Sequence, residues 1–206
     1  TLEQLIKRNK PSGVVFTKAK VILNQLLDAL IYAHSKEIIH NDLKPSNIMF
    51  DAKGKLKILD FGIAKLKPEE DKFAFKTEER DNLVGGYTPS YASPEQLNGE
   101  DATVTSDVFS FACLAYELLC GKHPFNRVAA NEIKEGTQLK KPNNCPLSFW
   151  FILKQALDIE AKNRPQSLLI IKKRLNISYI LPLAASVLSI AIAAGGMYSY
   201  NNHNQQ

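Results

Sequence analysis

The residues able to do chemistry in this chain gather between His40 and Asp60. Ile48-Met49-Phe50 and Leu56-Lys57-Ile58-Leu59 read as two short strands around the turn Asp51-Ala52-Lys53-Gly54. Asn47 immediately precedes the first strand and Asp60 immediately follows the second. Antiparallel pairing therefore sets both at one open end of a ribbon. An amide oxygen and a carboxylate there suit a hard cation such as Mg2+, which takes oxygen ligands and brings phosphate oxygens with it. Asp42 and Lys44 stand just upstream on the same loop. A proton acceptor, a charge-neutralising cation and a metal-holding pair are the parts phosphoryl transfer needs.

Helices must position that loop and ribbon. Leu2–Lys7 reads as a short helical turn closed by Pro11-Ser12-Gly13. Between Lys18 and Ser35, apolar residues recur at 23, 26, 27, 30 and 31, the period of an amphipathic helix. Ser106–Cys120 is apolar on nearly every side, which predicts a helix buried all round with Gly121 at its C-cap. Two further helices are expected near Leu147–Asp158 and Gln166–Leu175. Residues 63–90 are polar and aperiodic and read as a long loop, with the charges of Lys67–Arg80 solvated and Thr77 a candidate phosphosite. Beyond the ribbon the predicted content is helical, so the expected fold class is mainly α.

His40-x-Asp42-x-Lys44-x-x-Asn47, then Asp60-Phe61-Gly62, then Ser93-Pro94-Glu95, in that order and spacing, resemble the protein kinases. Thr88-Pro89-Ser90-Tyr91-Ala92-Ser93-Pro94-Glu95-Gln96 looks like the substrate-docking segment of bacterial Ser/Thr kinases. The resemblance covers residues 1 to about 175 and is to the C-terminal lobe, a helical bundle carrying a short catalytic hairpin. It implies ATP and Mg2+ as cofactors and protein Ser or Thr hydroxyls as acceptors. By resemblance, Asp42 accepts or orients the acceptor proton and Lys44 neutralises the transferred phosphoryl group. Asn47 and Asp60 hold Mg2+ on the nucleotide phosphates, and Thr88 positions the substrate. His40, Glu95, Asp107 and Arg164 are expected to be structural: a packed histidine, a buried Glu95–Arg164 pair, and a carboxylate tying a helix start to the catalytic loop.

Two departures from the family pattern shape the expectation. Asn41 stands where many kinases carry an Arg that draws in a phosphorylated loop; a neutral amide lacks that charge-assisted pair. None of the 10 glycines forms a G-x-G-x-x-G and no V-A-I-K strand precedes the first helix. The N-lobe parts that cover and orient ATP are thus missing from residues 1–206, and the chain alone is expected to be inactive. The first residue is Thr, which suits a piece of a longer kinase. Two other readings stay open: a non-catalytic membrane-tethered half-kinase scaffold, and a split kinase completed by another chain's N-lobe.

Composition agrees with a globular domain. The 206 residues are 45% hydrophobic and 23% charged, which excludes disorder, collagen-like repeats and a disulfide scaffold. The net charge of +5 comes without an Arg-rich stripe, zinc spacing or paired-aromatic RNA motif, so no nucleic-acid partner is expected. Cys113, Cys120 and Cys145 form no C-x-x-C pair and read as reduced thiols.

Charge stops at Arg174. Residues 177–198 are almost wholly apolar and, at about 1.5 Å per helical residue, span roughly 33 Å, the thickness of a bilayer core. The reading is a single-pass transmembrane helix in contact with lipid. Lys162, Arg164, Lys172, Lys173 and Arg174 hold the kinase region, 1–175, on the cytoplasmic side, and 199–206 form a short outer tail.

Overall fold

The computed structural model describes residues 1–61, 89–134 and 137–177. The chain divides into two compact units, Thr1–Leu175 and Asn176–Gln206. In order, the first holds α1 (Leu2–Arg8), α2 (Phe16–His34), β1 (Ile48–Phe50), β2 (Leu56–Ile58), α3 (Pro94–Leu97), α4 (Val104–Cys120), α5 (Leu147–Ala156) and α6 (Leu168–Leu175). Short 3-10 turns lie at Pro45–Asn47, Ala130–Glu132 and Ala161–Asn163. The described fold is mainly helical with one two-stranded antiparallel sheet.

α4 is its axis. Every residue from Thr105 to Leu119 is buried, the outcome expected for a helix without a polar face. α2 and α5 pack on it, and α6 packs on α2 and α5. α2 contributes a stripe at helical spacing, with Ala19, Leu23, Leu26, Leu27 and Leu30 inaccessible to solvent. Each such Leu stabilises the fold by about 1.5–3 kcal/mol through apolar burial. α2 begins at Phe16, ahead of the expected Lys18, and the Phe16 ring lies 6.0 Å from that of Phe149 on α5. That long-range contact is invisible to a local period. α4 also starts early, at Val104, behind a Thr103/Ser106 capping box.

Two glycines let the chain cross itself at the end of α4. Gly121 takes φ 70 as the left-handed cap, and a Cβ there would sit 2.8 Å from the Pro11 carbonyl oxygen. Gly13 has φ +75, and a Cβ on it would meet the Leu119 carbonyl oxygen at 2.2 Å. The Val14 N–H then donates to the Leu118 carbonyl at 2.8 Å, fastening the α1–α2 connection to α4.

All three cysteines are free, with Cys113 and Cys145 buried. Burial raises both thiols, Cys145 to about 11, so neither is a thiolate at neutral pH. Among the described residues no helix is long and apolar enough to cross a membrane. The span expected at 177–198 lies outside them from residue 178 onward, as does the loop expected at 63–90 apart from Pro89 and Ser90.

Candidate active site

The ribbon pairs Ile48 with Ile58 and Phe50 with Leu56. Beyond the last pair the Leu59 N–H donates to the Asn47 carbonyl at 2.8 Å, so the ladder runs one residue past β2. Asn47 and Asp60 thereby belong to the same end of the ribbon. Asp60 is exposed and takes φ 50, a left-handed backbone that costs a non-glycine residue energy. The extended backbone of the ribbon ends there.

Asn47 is buried, with its amide nitrogen donating to the Asp42 carbonyl at 2.9 Å and to Asp42 Oδ2 at 3.3 Å. Both bonds use the nitrogen, so the amide oxygen is the end not committed to Asp42. Lys44 Nζ lies 2.7 Å from Asp42 Oδ2, and both side chains keep about a fifth of their surface in solvent. Asp42, Lys44, Asn47 and the ribbon end are thus one neighbourhood.

His40 joins the loop to the ribbon. It is inaccessible to solvent. Its Nδ1 accepts the Asp42 N–H at 3.3 Å and its Nε2 faces the Leu59 carbonyl at 3.1 Å. Those partners select the neutral tautomer carrying its proton on Nε2, and burial pushes the imidazolium below its ordinary pKa. Phe61 packs on the ring at 4.7 Å between centroids.

Asp107, in the first turn of α4, holds the same loop from below. Its Oδ2 accepts the His40 N–H at 2.8 Å, its Oδ1 accepts the Asn41 N–H at 3.0 Å, and His34 Nε2 lies 2.7 Å from Oδ2. Asn41 itself is left-handed at φ 71, a conformation Asn tolerates better than most residues. Its carbonyl and its side-chain oxygen both accept from Gln96 Nε2, at 2.7 and 2.9 Å. Gln96 Oε1 accepts the Ser93 N–H at 2.9 Å, so this one side chain connects α3 to the loop. Sequence reading missed Gln96, although the capping-box pattern Ser93-Pro94-Glu95-Gln96 was the available signal.

Glu95 and Arg164 form a two-pronged pair, Nη1 to Oε1 at 2.8 Å and Nη2 to Oε2 at 3.0 Å. Burial alone raises the Glu95 carboxyl, but the guanidinium outweighs it and holds the group below its ordinary value. Arg164 also donates to the carbonyls of Asp158, Ile159 and Thr105 and lies 4.9 Å over the Phe109 ring. A second cluster, buried at Tyr91 and Glu117 and open to solvent at Arg127, lies just ahead of α3. The Tyr91 hydroxyl donates to Glu117 Oε2, Arg127 Nη2 donates to Glu117 Oε1 at 2.7 Å, and the Ser110 hydroxyl donates to the Tyr91 carbonyl. Asp42, Tyr91 and Ser110 line one small crevice, so this cluster abuts the loop. Neither Tyr91 nor Glu117 was singled out from the sequence. Thr88, Gly62 and Thr77 lie outside the described residues.

Among the described residues no group of three or more His, Cys, Asp or Glu side chains could hold a metal ion. The donor set at the ribbon end, one amide oxygen and one carboxylate, nevertheless fits magnesium. That ion keeps several waters and takes its other oxygens from phosphates rather than from an all-protein cage.

Comparison with known proteins agrees with this arrangement. The protein kinase domain family matches residues 1–180. A serine/threonine-protein kinase PDK1 of Cryptococcus neoformans var. grubii is 34% identical over 160 residues, covering 76% of this chain and 13% of that protein. A putative serine/threonine-protein kinase/receptor of Acanthamoeba polyphaga mimivirus is 33% identical over 171 residues, 80% of this chain and 10% of the other. A probable serine/threonine-protein kinase PknB of Lactococcus lactis is 38% identical over 126 residues, 61% of this chain and 19% of its own length. The chain thus spans between about a tenth and a fifth of these curated relatives, which are fungal, viral and bacterial. Family-wide, such domains use ATP and Mg2+. The chain belongs to the protein kinase family, and these relatives are named as serine/threonine kinases.

Proposed function

We propose that residues 1–175 are the C-terminal lobe of a membrane-anchored kinase that transfers the γ-phosphoryl group of ATP to Ser or Thr hydroxyls of proteins. The observation that carries this reading is the convergence on Asp42. Its carboxylate is met by Lys44 Nζ and by the Asn47 amide nitrogen, at the ribbon end from which Asp60 emerges. Asp42 accepts or orients the acceptor's proton, a role contributing roughly 10²–10⁴-fold. Lys44 balances negative charge on the moving phosphoryl group. Asn47 and Asp60 would hold Mg2+, which when bound neutralises the phosphate oxygens. Thr88 positions the acceptor. The glycine-rich cover and its lysine belong to an N-lobe, encoded upstream or supplied by another chain. Support for that is the absence of G-x-G-x-x-G among the ten glycines and the small share of each relative that this chain covers.

The test supplies that lobe, fused upstream, and measures incorporation of labelled γ-phosphate into Ser/Thr peptides. Incorporation by the parent and its loss in Asp60→Ala and Asp42→Asn is expected; equal incorporation by the variants overturns the assignment. Anchoring by 177–198 rests on an uncharged apolar run after a basic segment. Recovery of the protein in the soluble fraction after an alkaline carbonate wash would remove it.

A further inference from the structure

α5 and α6 pack against each other, and each buries one stripe in the core: Phe149, Leu153 and Ala156 on α5, Leu168, Ile171 and Leu175 on α6. A polar outer face is the ordinary complement of such a stripe. Neither helix has one. Leu147 and Phe151, one turn apart on α5, are 62% and 67% exposed, and the exposed Lys154 continues that face. On α6, Leu169 and Ile170 are 44% and 43% exposed, beside the exposed Lys173 and Arg174. Single exposed apolar residues are ordinary; four on two neighbouring helices mark an interaction surface.

Charge on these faces has one sign, because neither helix contains an Asp or Glu. The acidic side chains of the connection between them are engaged. Asp158 Oδ1 accepts the Glu160 N–H at 2.9 Å and the Asn163 amide at 3.3 Å, and Glu160 pairs with Lys162 at 2.7 Å. Lys172 turns to Asp28 of α2 instead of outward. Bulky apolar side chains interleaved with cations are the composition of a helix lying in a membrane interface. There the lysine and arginine stems lie along apolar surface while their heads reach lipid phosphates. Two residues after α6 the sequence enters the uncharged apolar run 177–198, so a leaflet that holds this run is tethered to α6 by the chain itself.

We propose that the outer faces of α5 and α6 dock on an anionic lipid leaflet. Leu147, Phe151, Leu169 and Ile170 enter the headgroup boundary, and Lys154, Lys173 and Arg174 meet the lipid anions. The proposal rests on the anchoring reading for its proximity and adds a second, charge-dependent contact. That contact fixes how the lobe is oriented on the surface, where a tether alone would let it swing.

The experiment reconstitutes the full chain carrying Phe151→Trp into vesicles of brominated phosphatidylcholine, with or without phosphatidylserine. Quenching of the new indole is read against the parent, whose one tryptophan, Trp150, is buried. Phosphatidylserine is expected to switch quenching on, and raised salt to switch it off. Each basic residue near an anionic leaflet is worth about five-fold in occupancy, so Lys154→Glu/Lys173→Glu should lower the docked-to-undocked ratio about twenty-fold or more. Leu169→Ser/Ile170→Ser should lower it as well. No quenching with phosphatidylserine, equal quenching without it, or quenching unchanged in either double variant overturns the proposal. So does its abolition by soluble polyglutamate, which would assign the face to an acidic protein. A carbonate wash of the same vesicles reads the anchor separately. A chain retained but unquenched overturns only the docking, and a chain released by the wash yet quenched before it overturns only the anchor.

Discussion

Arg164 and Lys44 each face a carboxylate, at 2.8 and 2.7 Å, yet the two pairs are built in opposite ways. The Arg164 side chain is 0% exposed and gives every direction of its guanidinium to a fixed partner: two carboxylate oxygens and three carbonyls. Lys44 keeps 22% of its side chain in solvent, against a carboxylate that is 19% exposed. A buried charge must be answered on all sides, so the first arrangement is rigid by necessity. Solvent is a replaceable partner, so the second can exchange water for a ligand. The contrast separates the part of the domain that holds shape from the part that can accept substrate.

The largest effect should come from breaking the buried pair. Arg164→Ala strands Glu95 and is expected to cost about 3–5 kcal/mol, read from the urea unfolding midpoint; an unchanged midpoint would erase the contrast. The same pair sets an acid limit. The Glu95 carboxyl lies below its ordinary value when folded, so its stabilisation is present above the ordinary carboxyl range and is lost as pH falls through the folded value.

His123 makes a second, separable slope. It is buried, its Nδ1 accepts the Phe125 and Arg127 N–H groups, and its Nε2 has no hydrogen-bond partner among the described residues. Burial, helped by Arg127, pushes its pKa down to about 4. Below the ordinary value near 6.5 the unfolded chain takes up a proton that the folded chain refuses. Stability should therefore fall from about pH 6.5 toward pH 4, by at most roughly 3 kcal/mol. His123→Gln should flatten that part of the stability–pH curve, and an unaltered slope would assign it elsewhere.

Gly121→Ala, at φ 70 with the Pro11 carbonyl in the way, should cost about 1–3 kcal/mol by thermal or urea unfolding. The smallest effect on stability is expected at the exposed Asp60. Asp60→Ala should stay within about 0.5 kcal/mol of the parent while phosphate incorporation by the N-lobe-supplied protein collapses. Strong destabilisation would show that this exposed carboxylate, too, holds the fold.

Local signals carried much of this architecture. The ribbon is found at 48–50 and 56–58, against an expected 48–50 and 56–59, because an alternating run between turn residues admits few registers. The all-round apolar helix and its glycine cap also follow from nearest neighbours in the chain. What local reading could not supply are bonds between distant segments. The Gln96–Asn41 contact spans 55 residues and the Tyr91–Glu117 contact 26, and no periodicity encodes either. Asp107 and Arg164 were reachable only through resemblance, since a carboxylate in a first helical turn or an Arg before Pro165 is commonplace by itself. Asn41 was read as a lost charge; its left-handed backbone, which the Asp107 and Gln96 bonds brace, needed coordinates.

The crossing of Gly13 and Gly121 makes mutation at one position depend on the other. Each glycine admits the backbone flanking its counterpart: Gly13 admits Leu119, and Gly121 admits Pro11. A first alanine forces the two strands of chain apart, and a second then enters space already opened. The double variant should therefore lose less than the two single losses combined, a sub-additive epistasis. Sequences drifting away from glycine here have reason to change both sites together or neither.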